Sequence, residues 1–383
     1  MFSNTDQSQS DAARSGLDQI RRRPPPILAS IDSSKAAKDF RITSIADSGI
    51  RYLPELDGLR AIAVFLVITA HEPNILFERL DGRLGVAIFF VLSGYLITLI
   101  ALREEKNKGK LSLPSFYTRR TFRIFPLYYF TLGLYFFLII VLHFSPTKKT
   151  ALVQAMPYYL MYLQEIPFFG KDIYQELPFY QSWSLGIEEK FYLVWPVLCF
   201  SFLRYRRHFR IPLILLLAVA SAFTPYTRPY IIILFGCLLA LALERKSFER
   251  ALQRIGSVGT WLSFGLLLVF QCTVMPWWKW TFANHVYSAW FTVFLALLVS
   301  GQSDLKRYLG YPVLVYIGKI SYGIYLIHIL CIGAVRDNLH FGNSLSGFVL
   351  VCALSIAIAT AMHYFLEKPL IEVGRRLSAK CSH

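Results

Sequence analysis

The sequence predicts an all-α polytopic membrane protein, a bundle of about ten transmembrane helices with both termini in the cytoplasm. Three observations carry that reading. Of 383 residues, 55% are hydrophobic, 16% aromatic and only 17% charged, and the mean hydropathy is +0.45, well away from the balance of a water-soluble domain. Apolar stretches recur from residue 59 to residue 366, several approaching the ~20 residues that a helix needs to cross the hydrocarbon. Basic residues are concentrated in alternate connections, as the positive-inside rule requires.

The ten stretches are 59–77, 84–102, 124–144, 182–203, 211–223, 230–243, 258–275, 286–300, 313–334 and 346–366. Some are short or carry proline, and Pro196 and Pro212 are expected to leave backbone groups for neighbouring helices to satisfy. If the chain starts inside, the inner connections 103–123, 204–210, 244–254, 302–312 and the tail from 367 hold 21 Lys and Arg. The outer connections 78–83, 145–181, 225–229, 276–285 and 335–345 hold eight. This asymmetry accounts for most of the net charge of +16. Arginines such as those of RYRRHFR (204–210) therefore read as anchors on the anionic face of a lipid bilayer, and no nucleic acid is implied.

The first 50 residues, rich in Ser, Asp, Arg and Pro and including RRRPPP (21–26), lack a long apolar run and read as a flexible cytosolic tail. Residues 51–370 form the transmembrane domain, and 371–383 a short cytosolic tail. The one long outer connection, 145–181, contains ALVQAMPYYLMYL, a segment suited to dip into the membrane without crossing. The six cysteines (199, 237, 272, 331, 352, 381) form no CxxC or Cys/His pattern, so neither disulfides nor a metal site is expected. No GxxxxGK[ST] loop is present and no GxGxxG opens a helix after a strand, which leaves nucleotide hydrolysis and dinucleotide redox chemistry without support.

A titratable side chain at membrane depth costs roughly 2.5 kcal/mol or more, so each needs a reason. In LDGLRAIAVFLVITAHEP (56–73), Arg60 and His71 are eleven residues apart, which on a helix is three turns plus about 20° and a rise of ~16 Å. One helix face thus runs from an arginine at the cytoplasmic edge to a deep histidine, over about the length of an extended pantetheine arm. Histidine can take and return a proton near neutral pH, oriented by a carboxylate. Glu72, Glu188 and Glu189 are candidates. Adjacent helical positions differ by about 100°, so Glu188 and Glu189 are not expected to face one site. His328 and His363 read first as residues that hydrogen-bond a neighbouring helix. Arg119, Arg120 and Arg123, in FYTRRTFRIFPLYY (116–129), lie at the entry to the third helix. Arg120 and Arg123 share a face, either as forks for an anionic cytosolic cofactor or as topology anchors.

Taken in order, LDGLRAIAV with its Arg-x10-His arrangement, GVAIFFVLSGYLIT (85–98), FYTRRTFRIFPLYY, SWSLGIEEKFYLVWP (182–196), IGKISYGIYLIH (317–328) and FLEKPL (365–370) resemble the acyltransferase-3 family of integral-membrane O-acyltransferases over roughly residues 50 to 370. The resemblance implies transfer of an acyl group, most often acetyl, from cytosolic acyl-CoA to a hydroxyl of a glycan or other acceptor, in the bacterial inner membrane. Family members modify O-antigens, exopolysaccharides, macrolides and the lipo-chitin oligosaccharides of nodulation. By the resemblance, His71 is the expected catalytic histidine, Arg60 its paired arginine and Glu188 a further site residue. Arg120 and Arg123, with Arg119 beside them, are expected to meet the phosphates of acetyl-CoA, while Tyr192 and His328 are assigned to the substrate. No metal is implied.

One position departs from the family. Its GVDxFF stretch has an acidic residue where this chain has Ala87, so Asp81 or Glu72 is the expected substitute. The chain ends soon after the tenth helix and is expected to lack the SGNH-type hydrolase domain appended in some relatives. His71 is expected to act as general base, with a transient acyl-histidine as the less direct route. A polytopic permease or flippase, using buried His and Glu for proton coupling, is the alternative from another class. An acyl-CoA-binding but catalytically silent relative is a third. WWKW (277–280) offers aromatic rings either to a sugar or, more simply, to the membrane interface.

Overall fold

The computed structural model describes residues 52–72, 80–170, 177–273, 280–338 and 344–381. The expected tail 1–50 and the side chains of WWKW lie outside the described residues. Leu53–His383 form one compact unit, whose regular secondary structure is all helical among the described residues. In chain order its main helices are α1 (Pro54–His71), α2 (Leu84–Lys108), α3 (Leu113–Phe136), α4 (Lys149–Leu160), α5 (Glu165–Phe169), α6 (Trp183–Pro196) and α7 (Arg210–Ser221). They continue with α8 (Pro229–Leu243), α9 (Lys246–Thr273), α10 (Trp280–Ser300), α11 (Leu305–Leu309), α12 (Pro312–Gly333), α13 (Leu345–Met362) and α14 (Lys368–Lys380).

Six of these segments are long and apolar enough to cross a membrane: Leu84–Lys108, Leu113–Val141, Lys246–Thr273, Phe282–Ser300, Pro312–Arg336 and Leu345–Lys380. The protein is accordingly a multi-pass membrane protein. The other four expected crossings differ from that standard for identifiable reasons. α1 has 18 residues but carries Glu55, Asp57 and Arg60 in its first two turns. α6, α7 and α8 have 14, 12 and 15 residues, and α6 gains a wide turn, Val197–Phe202, directly after Pro196. Pro212 falls in the first turn of α7, where the missing N–H has no intrahelical acceptor to lose. The stretch 246–254, expected as part of an inner loop, is instead in the first part of α9, which is kinked at Gly256 (φ 70°). The segment 149–160 lies along α3, with the hydroxyls of Tyr128 and Tyr129 donating to the carbonyls of Tyr159 and Leu160, both at 2.9 Å.

Two close approaches position the interior. α2 and α8 exchange glycines: a Cβ on Gly94 would strike the Ile233 carbonyl, and one on Gly236 the Val91 carbonyl. Small residues permit such contact where lipid supplies no hydrophobic drive between helices. Likewise Gly318 brings the backbone of α12 against the Asp57 carbonyl of α1, which sets Lys319 beside the first turns of α1. At the C-terminal end of α2, Arg210 is buried (2% exposed) and forms a bidentate pair with Glu105 at 2.9 and 2.8 Å, tying α7 to α2.

Candidate active site

Five helices surround one narrow cavity. It encloses about 100 Å³ and is lined by Arg60 of α1, Ser93 of α2, Arg120 and Arg123 of α3, Ser184, Glu188, Glu189 and Tyr192 of α6, and Gly318, Lys319, Tyr322 and Tyr325 of α12. From Gly318 to Tyr325 it follows α12 for roughly 10 Å at 1.5 Å per residue. The i, i+3 spacing of Arg120 and Arg123 puts both on the cavity side of α3, as their spacing predicts. Arg120 lies over the Tyr192 ring, 4.7 Å from its centroid. Arg60 pairs with Asp57 at 3.2 Å, and Glu188 accepts the Ser93 hydroxyl at 2.7 Å. Neither Arg120 nor Arg123 has a carboxylate within ion-pairing distance among the described residues. Four cations thus face a cavity whose own wall supplies two carboxylates. Such an arrangement attracts an anion with several charges, and guanidinium forks suit phosphate.

Glu188 and Glu189 both line the cavity, against the expectation that adjacent positions exclude each other. The wall here is broad, and two carboxylate arms about 100° apart reach it from either flank of α6. Arg119 goes elsewhere. Its guanidinium pairs with Glu104 at 3.0 Å and donates to the hydroxyls of Ser378, at 2.9 Å, and Ser115, so it ties α2, α3 and α14 together away from the cavity. Lys319 was not singled out from sequence, although a lysine inside the apolar run IGKISYGIYLIH is the kind of costly residue that marks a site. Ser184 and Tyr325, whose oxygens are 2.7 Å apart, were missed because neither is charged.

His71 lies at the last residue of α1, beyond the cavity lining. Its Nδ1 is 2.8 Å from the Val67 carbonyl and 3.3 Å from Nε2 of His328, which is fully buried on α12. The two rings are 5.0 Å apart between centroids, and Tyr180 lies 5.5 Å from His71. His328 Nδ1 is 2.7 Å from the Tyr325 carbonyl. Tyr325 therefore belongs to both places: its hydroxyl meets Ser184 at the cavity and donates to the Gln181 carbonyl at 2.5 Å, while its backbone holds His328. Arg60 lines the cavity together with α12, and His71 meets α12 further along, at His328.

The carboxylates weighed against the missing acid do not reach the histidine. Asp81 receives the Arg83 guanidinium at 2.8 and 2.9 Å. Glu72 is buried (3% exposed) with Oε2 lacking a hydrogen-bond partner, but it is not bonded to His71. Ala87 is packed in the apolar core. His363, expected to bond a neighbouring helix, bonds Glu367 four residues further on in its own Leu345–Lys380 segment, at 2.7 Å.

Comparison with known proteins agrees with the geometry. The O-acetyltransferase OatA of Staphylococcus aureus strain NCTC 8325 is 30% identical over 361 residues, covering 85% of this chain and 58% of that protein. A provisionally named O-acetyltransferase of Staphylococcus aureus strain COL is 29% identical over 365 residues, with the same coverage. The chain thus spans 58% of the length of these curated relatives. No solved structure matches it. The profile of a family described as an acyltransferase domain matches residues 53–364, and the chain belongs to that acyltransferase-3 family.

Proposed function

We propose that the protein is an O-acyltransferase of the bacterial cytoplasmic (inner) membrane that moves an acetyl group from cytosolic acetyl-CoA to a hydroxyl of a saccharide acceptor such as a surface polysaccharide, O-antigen or lipo-chitin oligosaccharide. The observation that carries the reading is the axis along α12: four cations at one end, a histidine pair at the other, and one tyrosine between. Phosphates of the donor are held by Arg120, Arg123 and Lys319, with Arg60 at the start of the path. The pantetheine arm then follows α12 toward His71. His71 takes the proton of the acceptor hydroxyl as it attacks the thioester. Glu188 and Tyr192 line the donor channel. The name O-acetyltransferase carried by the relatives supports acetyl as the group transferred. The strongly basic inner connections support a topology of ten crossings with both termini in the cytoplasm, the shorter helices α6 to α8 included.

Membrane vesicles containing the full chain, supplied with radiolabelled acetyl-CoA and oligosaccharide acceptors, test the reading. Label should enter the acceptor and free CoA should appear together, and His71→Ala should abolish both. A vesicle population that moves acceptor or proton but releases no CoA would assign the protein to the permease class instead.

A further inference from the structure

Resting on the acyl-transfer reading, we propose that His328 is the positioning residue for His71: it holds that ring as the Nδ1–H tautomer and leaves Nε2 as the nitrogen that receives the acceptor's proton. The assignment follows from which atoms can donate. A backbone carbonyl only accepts, so His328 Nδ1, 2.7 Å from the Tyr325 carbonyl, carries a hydrogen. A neutral His328 then presents a lone pair at Nε2. That lone pair lies 3.3 Å from His71 Nδ1, which in turn lies 2.8 Å from the Val67 carbonyl. His71 Nδ1 therefore carries a hydrogen too, shared between two acceptors. Its second nitrogen, Nε2, is left with the basic lone pair.

Catalytic histidines are commonly oriented by a carboxylate that fixes the tautomer without itself taking the proton. Among the described residues no carboxylate is hydrogen-bonded to either ring. The ionisable groups that face the pair are Tyr180, 5.5 Å from the His71 ring, and Tyr325, 5.8 Å from the His328 ring, with Glu72 next to His71 in the chain. His328 occupies the orienting place from α12, where its own carbonyl contact prevents it from turning over. In the reaction the acceptor oxygen forms a bond to the thioester carbon while its proton passes to His71 Nε2. The carbon–sulfur bond then breaks, and the same proton returns from Nε2 to the leaving thiolate, giving ester and free thiol. His328 gains and loses no proton. A neutral partner orients His71 as a carboxylate would but adds no negative charge beside the thioester.

Substitutions at His328 in the purified full chain, assayed for acceptor-dependent CoA release, separate positioning from packing. Glutamine can place an acceptor oxygen where Nε2 stood, whereas asparagine and alanine cannot. His328→Ala and His328→Asn should lower kcat about 10²- to 10⁴-fold, the scale of a tautomer error in a catalytic triad, with KM for acetyl-CoA unchanged. His328→Gln should restore kcat to within about tenfold of wild type. Wild-type kcat in His328→Ala, or equal loss in the glutamine and alanine variants with a raised KM, overturns the assignment. A readout independent of turnover is the ring ¹⁵N spectrum of histidine-labelled protein in lipid, with the His71 signals identified by difference against His71→Gln. It should report the Nδ1–H form in wild type and a shifted, exchange-broadened His71 signal in His328→Ala, where the Val67 carbonyl is the acceptor left to Nδ1; an unchanged His71 signal in that variant also overturns it. If wild type releases no CoA with any acceptor, the acyl-transfer reading fails while the spectra still decide the role of His328.

Discussion

Three arginines within five residues should separate into two functions when each is replaced by alanine. Arg120 and Arg123 face the cavity without a carboxylate at ion-pairing distance among the described residues, so a donor phosphate would be their direct counter-charge. A hydrogen bond to a charged group contributes about 1.5–3 kcal/mol, which at 1.4 kcal/mol per factor of ten converts to roughly a 10- to 150-fold rise in KM for acetyl-CoA per arginine. Arg120 also covers the Tyr192 ring at 4.7 Å, so Arg120→Lys keeps charge but not the flat stacking surface and should recover only part of the loss. Arg119 should behave differently. Its pair with Glu104 is one-third exposed on the arginine side (35% against 6%), and Glu104 keeps a second bond from the Ser112 amide at 3.2 Å. Arg119→Ala should therefore cost about 1–2 kcal/mol of stability, a fall of a few degrees in Tm, with KM unchanged. The assay is initial-rate kinetics over a range of acetyl-CoA concentrations, with thermal unfolding of the same purified samples. A raised KM in Arg119→Ala with normal KM in Arg123→Ala would refute the assignment of the cavity as the donor site.

Other consequences follow from single contacts. Gly318→Ala puts a methyl group on the Asp57 carbonyl, and overpacking of this kind costs about 1–3 kcal/mol. Both Tm and activity should fall, while Gly133→Ala, which meets nothing within 4 Å, should leave both intact or raise Tm slightly. Glu105→Gln leaves the buried Arg210 without its bidentate partner and should destabilise by about 3–5 kcal/mol, seen as lost expression or a lowered unfolding temperature. Replacing the pair together, with Glu105→Leu and Arg210→Met, should recover most of that loss. Because both glutamates line the cavity, Glu188→Gln and Glu189→Gln should each reduce turnover; a silent Glu189→Gln would return that residue to a purely structural role.

Much of the fold was legible because lipid imposes a simple rule: apolar runs of sufficient length become helices, and α12 and α13 begin within a residue of the expected bounds, whereas α3 begins at Leu113, eleven residues before the expected 124, and so takes Arg119, Arg120 and Arg123 out of the expected loop and into the helix. The rule loses resolution where the chain departs from it. α1 is charged in its first turns because Glu55, Asp57 and Arg60 answer to α11 and α12, with Asp57 beneath Gly318 and Lys306 3.9 Å from Glu55. The stretch 246–254 is helical because its apolar face packs back on the bundle at Leu252, a contact invisible to a hydropathy window.

The site was legible in its charged residues and not in the connections between them. Helical spacing alone aligned Arg60 with His71 and Arg120 with Arg123, since three- and eleven-residue intervals return to one face. What spacing cannot give is the partner helix. α12 supplies Lys319 beside the arginines, Tyr325 between the cavity and the histidines and His328 against His71, at intervals of six and three residues that place them on adjoining faces. A single helix thereby contacts both the cationic cavity and the imidazole pair. Displacing α12 at Gly318, where it touches α1 most closely, should disturb both ends at once. By contrast, truncating Arg123 should weaken donor binding alone, and that asymmetry between KM and kcat is the signature of a channel organised on one helix.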